Sequence, residues 1–289
     1  MPTKIEKDSV SGQNTTGHEW DGIKELNTPL PTWWLYVLYA SILWSIGQFI
    51  AYPSFPGIKS YFSGVIGYSA REELTQKMQA AATQRAPFLD RIRASSLAEI
   101  RKDSELLGYA VAGGRVAFAE NCAACHQAGG AGTKGFPSLA DDDWLWGGSL
   151  ADIQKTIRYG IRSTHPDTRT SQMPRFGLDG ILDPKQVDDT AEFVLSLGNR
   201  ATDAEAAKRG AAIFAENCVA CHGEKGTGQR ELGAPNLTDR IWIYGGDKAS
   251  IVKTISEARN GVMPAWGDRL DPAVVKMLTI YVHTLGGGE

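Results

Sequence analysis

Two short runs carry residues able to do chemistry: ENCAACHQAGG at Glu120–Gly130 and ENCVACHGEKG at Glu216–Gly226. Each spells Cys-x-x-Cys-His, first at Cys122, Cys125 and His126, then at Cys218, Cys221 and His222. These are all 4 cysteines of the chain, so none remains for a disulfide framework. The motif is the attachment signal of c-type haem. One helical turn places both sulfurs to form thioethers with the two vinyl groups, and the histidine projects over the ring as an iron ligand. The covalent tether suits a module too small to bury a whole porphyrin. A thiol redox pair would sit in a β-α-β context, which the sequence lacks. A zinc site would need two more ligands per site, and no cysteine is left to supply them.

Each motif is followed by one Met-Pro, at Met173 and Met263. A thioether opposite histidine favours ferrous iron and raises its potential, which suits electron transfer. A lone methionine ordinarily packs a core, the reading given to Met78 and Met277. Two methionines at matching repeat positions instead read as axial ligands. His165 is the rival ligand in the first unit, but it has no counterpart in the second and reads as a surface or propionate-side residue. His18 and His283 read as solvated. With protein ligands on both sides of each iron, no open position is left for catalysis, so the expectation is an electron carrier without its own active site.

The elements that must position these residues form a repeat. Gly114-x-x-x-Phe118-x-x-x-Cys122 matches Gly210-x-x-x-Phe214-x-x-x-Cys218. FPSL at Phe136 matches APNL at Ala234, IQKTIRYG at Ile153 matches IVKTISEA at Ile251, and MPRFG matches MPAWG. The offset is 96 between first cysteines and 90 between methionines, so a module of about ninety residues is duplicated with a loop-length difference inside it. Each unit reads as mostly helical. Phe118 and Phe214 fall one turn before a cysteine. Asp183-Pro184 and Asp271-Pro272 read as an N-cap followed by proline at the first helical position. The carbonyls of Pro137 and Pro235 are expected to hold the histidine ring nitrogens. Trp144, Trp146 and Trp242 read as core. The basic run Lys155, Arg158, Arg162, Arg169 and Arg175 reads as a solvated face, with Arg158 or Arg162 as candidates to neutralise propionates. The acidic run Asp141–Asp143 reads likewise as solvated.

No charged residue occurs from Leu26 through Ile58. The apolar heart, Trp33–Ala51, reaches about 28 Å as a helix, roughly one hydrocarbon core. Aromatic residues crowd both ends, as at a lipid–water boundary. The run lacks a basic segment directly before it and reads as an uncleaved anchor in the lipid bilayer. The net charge of −3, from 30 basic and 33 acidic side chains, gives no reason to expect nucleic acid.

Together these features resemble the dihaem subunit of cbb3-type cytochrome c oxidases, the CcoP or FixP family. The resemblance covers nearly the whole chain and is carried by DGIKELNTPLPTWWLYVLYASILWSIGQFIAYPSFPG (Asp21–Gly57), GYSAR (Gly67–Arg71) and the paired motifs. It implies two covalently bound haem c groups, with Cys122, Cys125, Cys218 and Cys221 as attachment points. The iron ligands it implies are His126, Met173, His222 and Met263, with same-unit pairing as the plain expectation and an exchange between units as the alternative. It implies a bacterial inner-membrane location, with a cytoplasmic segment 1–32, a span 33–51 and periplasmic haem domains; residues 52–107, mixed and charged, read as a linker with a helix near Arg71–Thr83. The fold class is mainly α: one transmembrane helix, then two tandem class I cytochrome c domains, 108–200 and 201–289. Implied partners are a cytochrome c or bc1-type donor, the monohaem subunit, and the haem-copper subunit of a proton-pumping complex. The competing functions are a free-standing tethered dihaem shuttle and a dihaem peroxidase.

Overall fold

A computed structural model describes residues 4–286 and Gly288. The chain divides into two compact units, one ending at Ala82 and the other beginning at Thr83.

The first unit opens with an antiparallel hairpin, β1 (Thr15–Trp20) and β2 (Ile23–Leu26). The strands join at Asp21-Gly22, with φ of 50° and 84°. This is the Asp-Gly signature of a type I′ turn, whose twist matches paired strands. Helix α1 (Thr32–Ala51) follows, started by Pro31, which cannot continue a helix backwards. It has a mean hydropathy of 1.4 and none of that window is buried, so it is long and apolar enough to cross a membrane. The Ser41 and Ser45 hydroxyls donate to the carbonyls of Leu38 and Ser41 at 2.7 and 2.8 Å, so neither leaves a bare polar group in an apolar setting. The chain then folds back, and the N–H groups of Val65 and Ile66 donate to Ile50 and Ala51 at 3.0 and 3.3 Å, satisfying last-turn carbonyls.

Helix α2 runs from Ala70 to Ala94, well beyond the helix expected near Arg71–Thr83. Its ends carry Glu72 and Glu73 in the first turn and Arg91 and Arg93 in the last, each matched to the helix dipole. Ile92 near its end is buried with Ile100 and Leu106. Residues 52–107 are therefore largely helical, through α3 (Leu97–Lys102) and the start of α4 (Ser104–Asn121). Met78 is exposed on α2 and packs no core.

The second unit is built from α4, α5 (Ala123–His126), α6 (Leu150–Tyr159), α7 (Pro184–Leu197), α8 (Ala204–Asn217), α9 (Val219–His222), α10 (Lys248–Glu257) and α11 (Pro272–His283). The N-caps are those expected: Asp183 accepts from Lys185 and Gln186, and Asp271 accepts from Ala273. Tertiary packing then exchanges helices between the repeats. Helix α11 packs against α4 and α6 of the first repeat, while α7 packs against α8 and α10 of the second. Both crossings use a glycine. A Cβ on Gly114 would collide with Met277 and Tyr281, and one on Gly210 with Asp189 and Phe193. Only a missing side chain lets the helices approach so closely. Phe118 then meets Tyr281 at 5.4 Å between ring centroids, and Phe214 meets Phe193 at 5.0 Å. The loops repeat the exchange: Phe176 donates to Ile255 O at 3.1 Å, and Trp266 to Ile157 O at 3.0 Å. Each cytochrome-like body thus takes residues from both sequence repeats.

Candidate functional site

Cys122 caps the end of α4, after Phe118 O has accepted its N–H at 2.8 Å. Its own carbonyl accepts from Cys125 and His126 at 3.1 and 2.9 Å, which closes one tight turn. Cys218 does the same after Phe214, accepting from Cys221 and His222 at 3.2 and 2.9 Å. Backbone at φ of 64° (Gln127) and 73° (Gly223) ends the turns. His126 Nδ1 meets Pro137 O at 3.0 Å and His222 Nδ1 meets Pro235 O at 3.1 Å, as expected. Assigning the ring proton to Nδ1 makes these donors and leaves Nε2 with its lone pair available for a metal. Burial pushes both imidazoles below their ordinary pKa, against the opposing pull of the proline carbonyl, which keeps them neutral and ligand-competent. Burial also pushes the Cys122 and Cys218 thiols up to about 11, with Cys125 and Cys221 adding to the shift. Such thiols make poor redox pairs, since exchange needs the thiolate.

The methionines do not lie with their own repeat's cysteines. Met173 lines one cleft with Cys218, Cys221 and His222. It packs on the core of Val194, Phe214, Leu237 and Ile251. Met263 packs instead on the core of Phe118, Ile153 and Leu278, the core on which Cys122 and Ala123 also pack. The exchange of α7 and α11 dictates this, because each Met-Pro turn leads into the exchanged helix. The same-unit pairing expected from sequence is thereby replaced by a crossed juxtaposition. The cleft fits a haem. It offers a neutral imidazole, a thioether, two thiols and an apolar lining, and Arg162 and Arg259 also line it, bringing positive charge suited to carboxylates.

Several surface readings need correction. Arg162 donates to Gly261 O and Ser171 O at 2.8 and 2.7 Å, and Arg169 is buried over the Trp146 ring at 5.0 Å. Neither belongs to a solvated face: Arg162 is tied to carbonyls on both Met-Pro segments' approaches, and Arg169 packs within its own repeat against Trp146, Thr156 and Asp152. Asp143 is half-buried, and burial first, then Asp239 and Asp141, raises its pKa to about 6. His283 is buried at the end of α11, whereas Met277 is core as expected. His165 packs against Tyr159 with ring centroids 4.9 Å apart and tilted by 43°, and does not line the cleft. Trp144, Trp146 and Trp242 are packed against cores as read. Sequence reasoning missed Asn260, which contacts Met173 from 87 positions away, and the acidic pair on α7.

That pair ties the exchanged α7 in place. Asp189 takes a two-pronged contact from Arg209 at 2.7 and 2.8 Å and another from Lys185 at 2.7 Å, and these hold its carboxyl far below the carboxylate range. Glu192 is 0% exposed. It accepts from the Thr202 N–H and hydroxyl, both at 2.8 Å, from the Asp203 N–H at 3.2 Å, and from Lys248 at 3.0 Å. Burial would raise its pKa, but these donors outweigh it and lower the value to about 2.

Comparison with known proteins places the chain in a family. Residues 12–59 match the N-terminal domain of cytochrome oxidase-cbb3, FixP; residues 110–198 match cytochrome c; residues 205–282 match cytochrome C oxidase, cbb3-type, subunit III. The chain is 54% identical over 291 residues to a cbb3-type cytochrome c oxidase subunit CcoP of Azospirillum brasilense, covering 98% of this chain and 99% of that one. It is 53% identical to a subunit FixP of Bradyrhizobium sp. (strain ORS 278), with 100% of each chain covered. It is 47% identical to a subunit CcoP of Cereibacter sphaeroides, again over 100% of each. Two cytochrome c regions, each with its Cys-x-x-Cys-His, make this a carrier of two covalently bound haem c groups. The chain belongs to the CcoP/FixP family of cbb3-type cytochrome c oxidase subunits.

Proposed function

We propose that this chain passes electrons from a cytochrome c or bc1-type donor, through the monohaem subunit, to the haem-copper subunit that reduces oxygen. It has no active site of its own, and proton pumping belongs to the complex. One haem is held by Cys122, Cys125 and His126 with Met263, and the other by Cys218, Cys221 and His222 with Met173. Each group supplies a one-electron carrier when bound. The protein's part would be to offer each group a histidine and a thioether, fix each imidazole through a proline carbonyl, and keep water away. The carrying observation is the protein-supplied histidine and thioether at one cleft, a donor set that leaves no position for substrate. Residues 1–32 are cytoplasmic, 33–51 span the inner membrane, and residues 108–289 carry the haems in the periplasm, where c-type attachment takes place.

The test is a chain with Cys122, Cys125, Cys218 and Cys221 all replaced by alanine. It is expected to lack covalent haem and to lower donor-driven oxygen consumption of the assembled oxidase by at least about a hundredfold. Consumption at the wild-type rate in an assembled complex contradicts the proposed role.

A further inference from the structure

The two methionine turns are secured by different means. Met263 exchanges two backbone hydrogen bonds with Ile161, both at 3.0 Å. Met173 also exchanges two at 3.0 Å, but with a side chain: its N–H donates to Asn260 Oδ1, and Asn260 Nδ2 donates to its carbonyl. A primary carboxamide carries a donor and an acceptor side by side, as a strand residue does, so Asn260 substitutes for the missing strand partner. The repeat shows why one is missing. Arg259 matches Ile161, yet its carbonyl accepts from Gly261 at 3.1 Å. The residue matching Asn260 is Arg162, whose guanidinium donates to Gly261 O and Ser171 O. The first site is thus held by backbone, which no substitution short of proline removes. The second hangs on one side chain.

We propose that Asn260 is the positioning residue that clamps Met173 as a ligand of the haem on Cys218 and Cys221. The proposal rests on the crossed pairing given above. Asn260 acts through the Met173 backbone and does not itself reach the iron. Without the clamp the thioether swings away more readily, so an external ligand competes better and ferrous iron is less favoured.

The experiment uses the assembled oxidase with Asn260→Ala, Asn260→Asp and Met173→Ala chains. Ferric protein is titrated with imidazole while following the long-wavelength absorption that marks a thioether on ferric haem. Losing two hydrogen bonds is expected to tighten imidazole binding at one of the two haems by about tenfold or more. The potential of that haem falls, while the other keeps its affinity and potential. A merely structural role moves both haems or neither. Asn260→Asp keeps the acceptor and loses the donor, so a smaller shift in the same direction is expected, and it decides the matter if the alanine chain fails to fold. Unchanged imidazole affinity in both Asn260 variants overturns the clamp. If Met173→Ala keeps the full thioether absorption of the haem on Cys218 and Cys221, the pairing itself is wrong and the clamp falls with it.

Discussion

Glu192 and Asp189 sit on α7 where the matching residues of α11 are Ile280 and Met277, both buried and apolar. One repeat therefore closes its exchanged contact with hydrocarbon, and the other with ions. Glu192 receives the N–H of Asp203, which in turn caps α8, so a single carboxylate links the exchanged helix to the start of its neighbour. Removing it leaves the N–H groups of Thr202 and Asp203 without their acceptor, while Lys248 keeps only Asp188, at 2.9 Å. Glu192→Ala is expected to cost about 3 kcal/mol, read by denaturant unfolding at neutral pH. The pH dependence has a definite sign. The folded pKa of about 2 lies below the ordinary 4.5, so the contribution is present in full above 4.5 and lost as the pH falls toward 2. The acid limb of stability should flatten in Glu192→Ala over that window, and an unchanged limb sinks the idea. Sequence made the cysteines, histidines and methionines legible because covalent attachment and ligation demand fixed residue types at fixed spacing. It hid Asn260, because a clamp between residues 87 apart leaves no local spacing. It also hid the burial of His283, which only the packing of α11 decides.

Helices explain most of what a pattern can reveal. The Asp-Pro caps, the phenylalanine before each cysteine and the charge-free α1 were readable because capping and periodicity are local. The hairpin was not read because β2 is exposed throughout and shows no apolar alternation; its only signal is Asp21-Gly22. Helix α2 outran its expected end because its last turns bury Ile92 against α3 and α4, a tertiary effect. The glycines of α4 and α8 give the element-scale prediction. Gly210→Ala places a methyl against Asp189 and Phe193 of the exchanged helix. It is expected to destabilise by about 1–3 kcal/mol, as overpacking does. Gly108, also in α4, has nothing within 4 Å of an added Cβ. Gly108→Ala should be neutral or stabilise by up to about 1 kcal/mol, since alanine is the better helix former. Thermal unfolding followed by haem absorbance compares the two; equal effects would mean the close crossing carries no constraint.

At the scale of the molecule, duplication and exchange combine. Two repeats of one cytochrome pattern suggest two beads joined by a linker, and the sequence offers no signal against that picture. Which of two equivalent faces a helix covers is set by linker reach and interface fit, not by residue pattern. Here α7 and α11 each close the other repeat's core. Cutting near residue 200 would therefore separate His126 from Met263 and His222 from Met173, and would strip a helix from each core. Neither half is complete without the other, which couples the two haem sites through one folded body. The central claim is the crossed pairing, and one measurement addresses it directly. In a chain with Cys122→Ala and Cys125→Ala, only the haem on Cys218 and Cys221 remains. Met173→Leu and Met263→Leu are then compared for the long-wavelength thioether absorption of the ferric protein. Crossed pairing predicts that Met173→Leu abolishes the absorption and Met263→Leu retains it; the opposite result would establish same-repeat ligation and contradict the account.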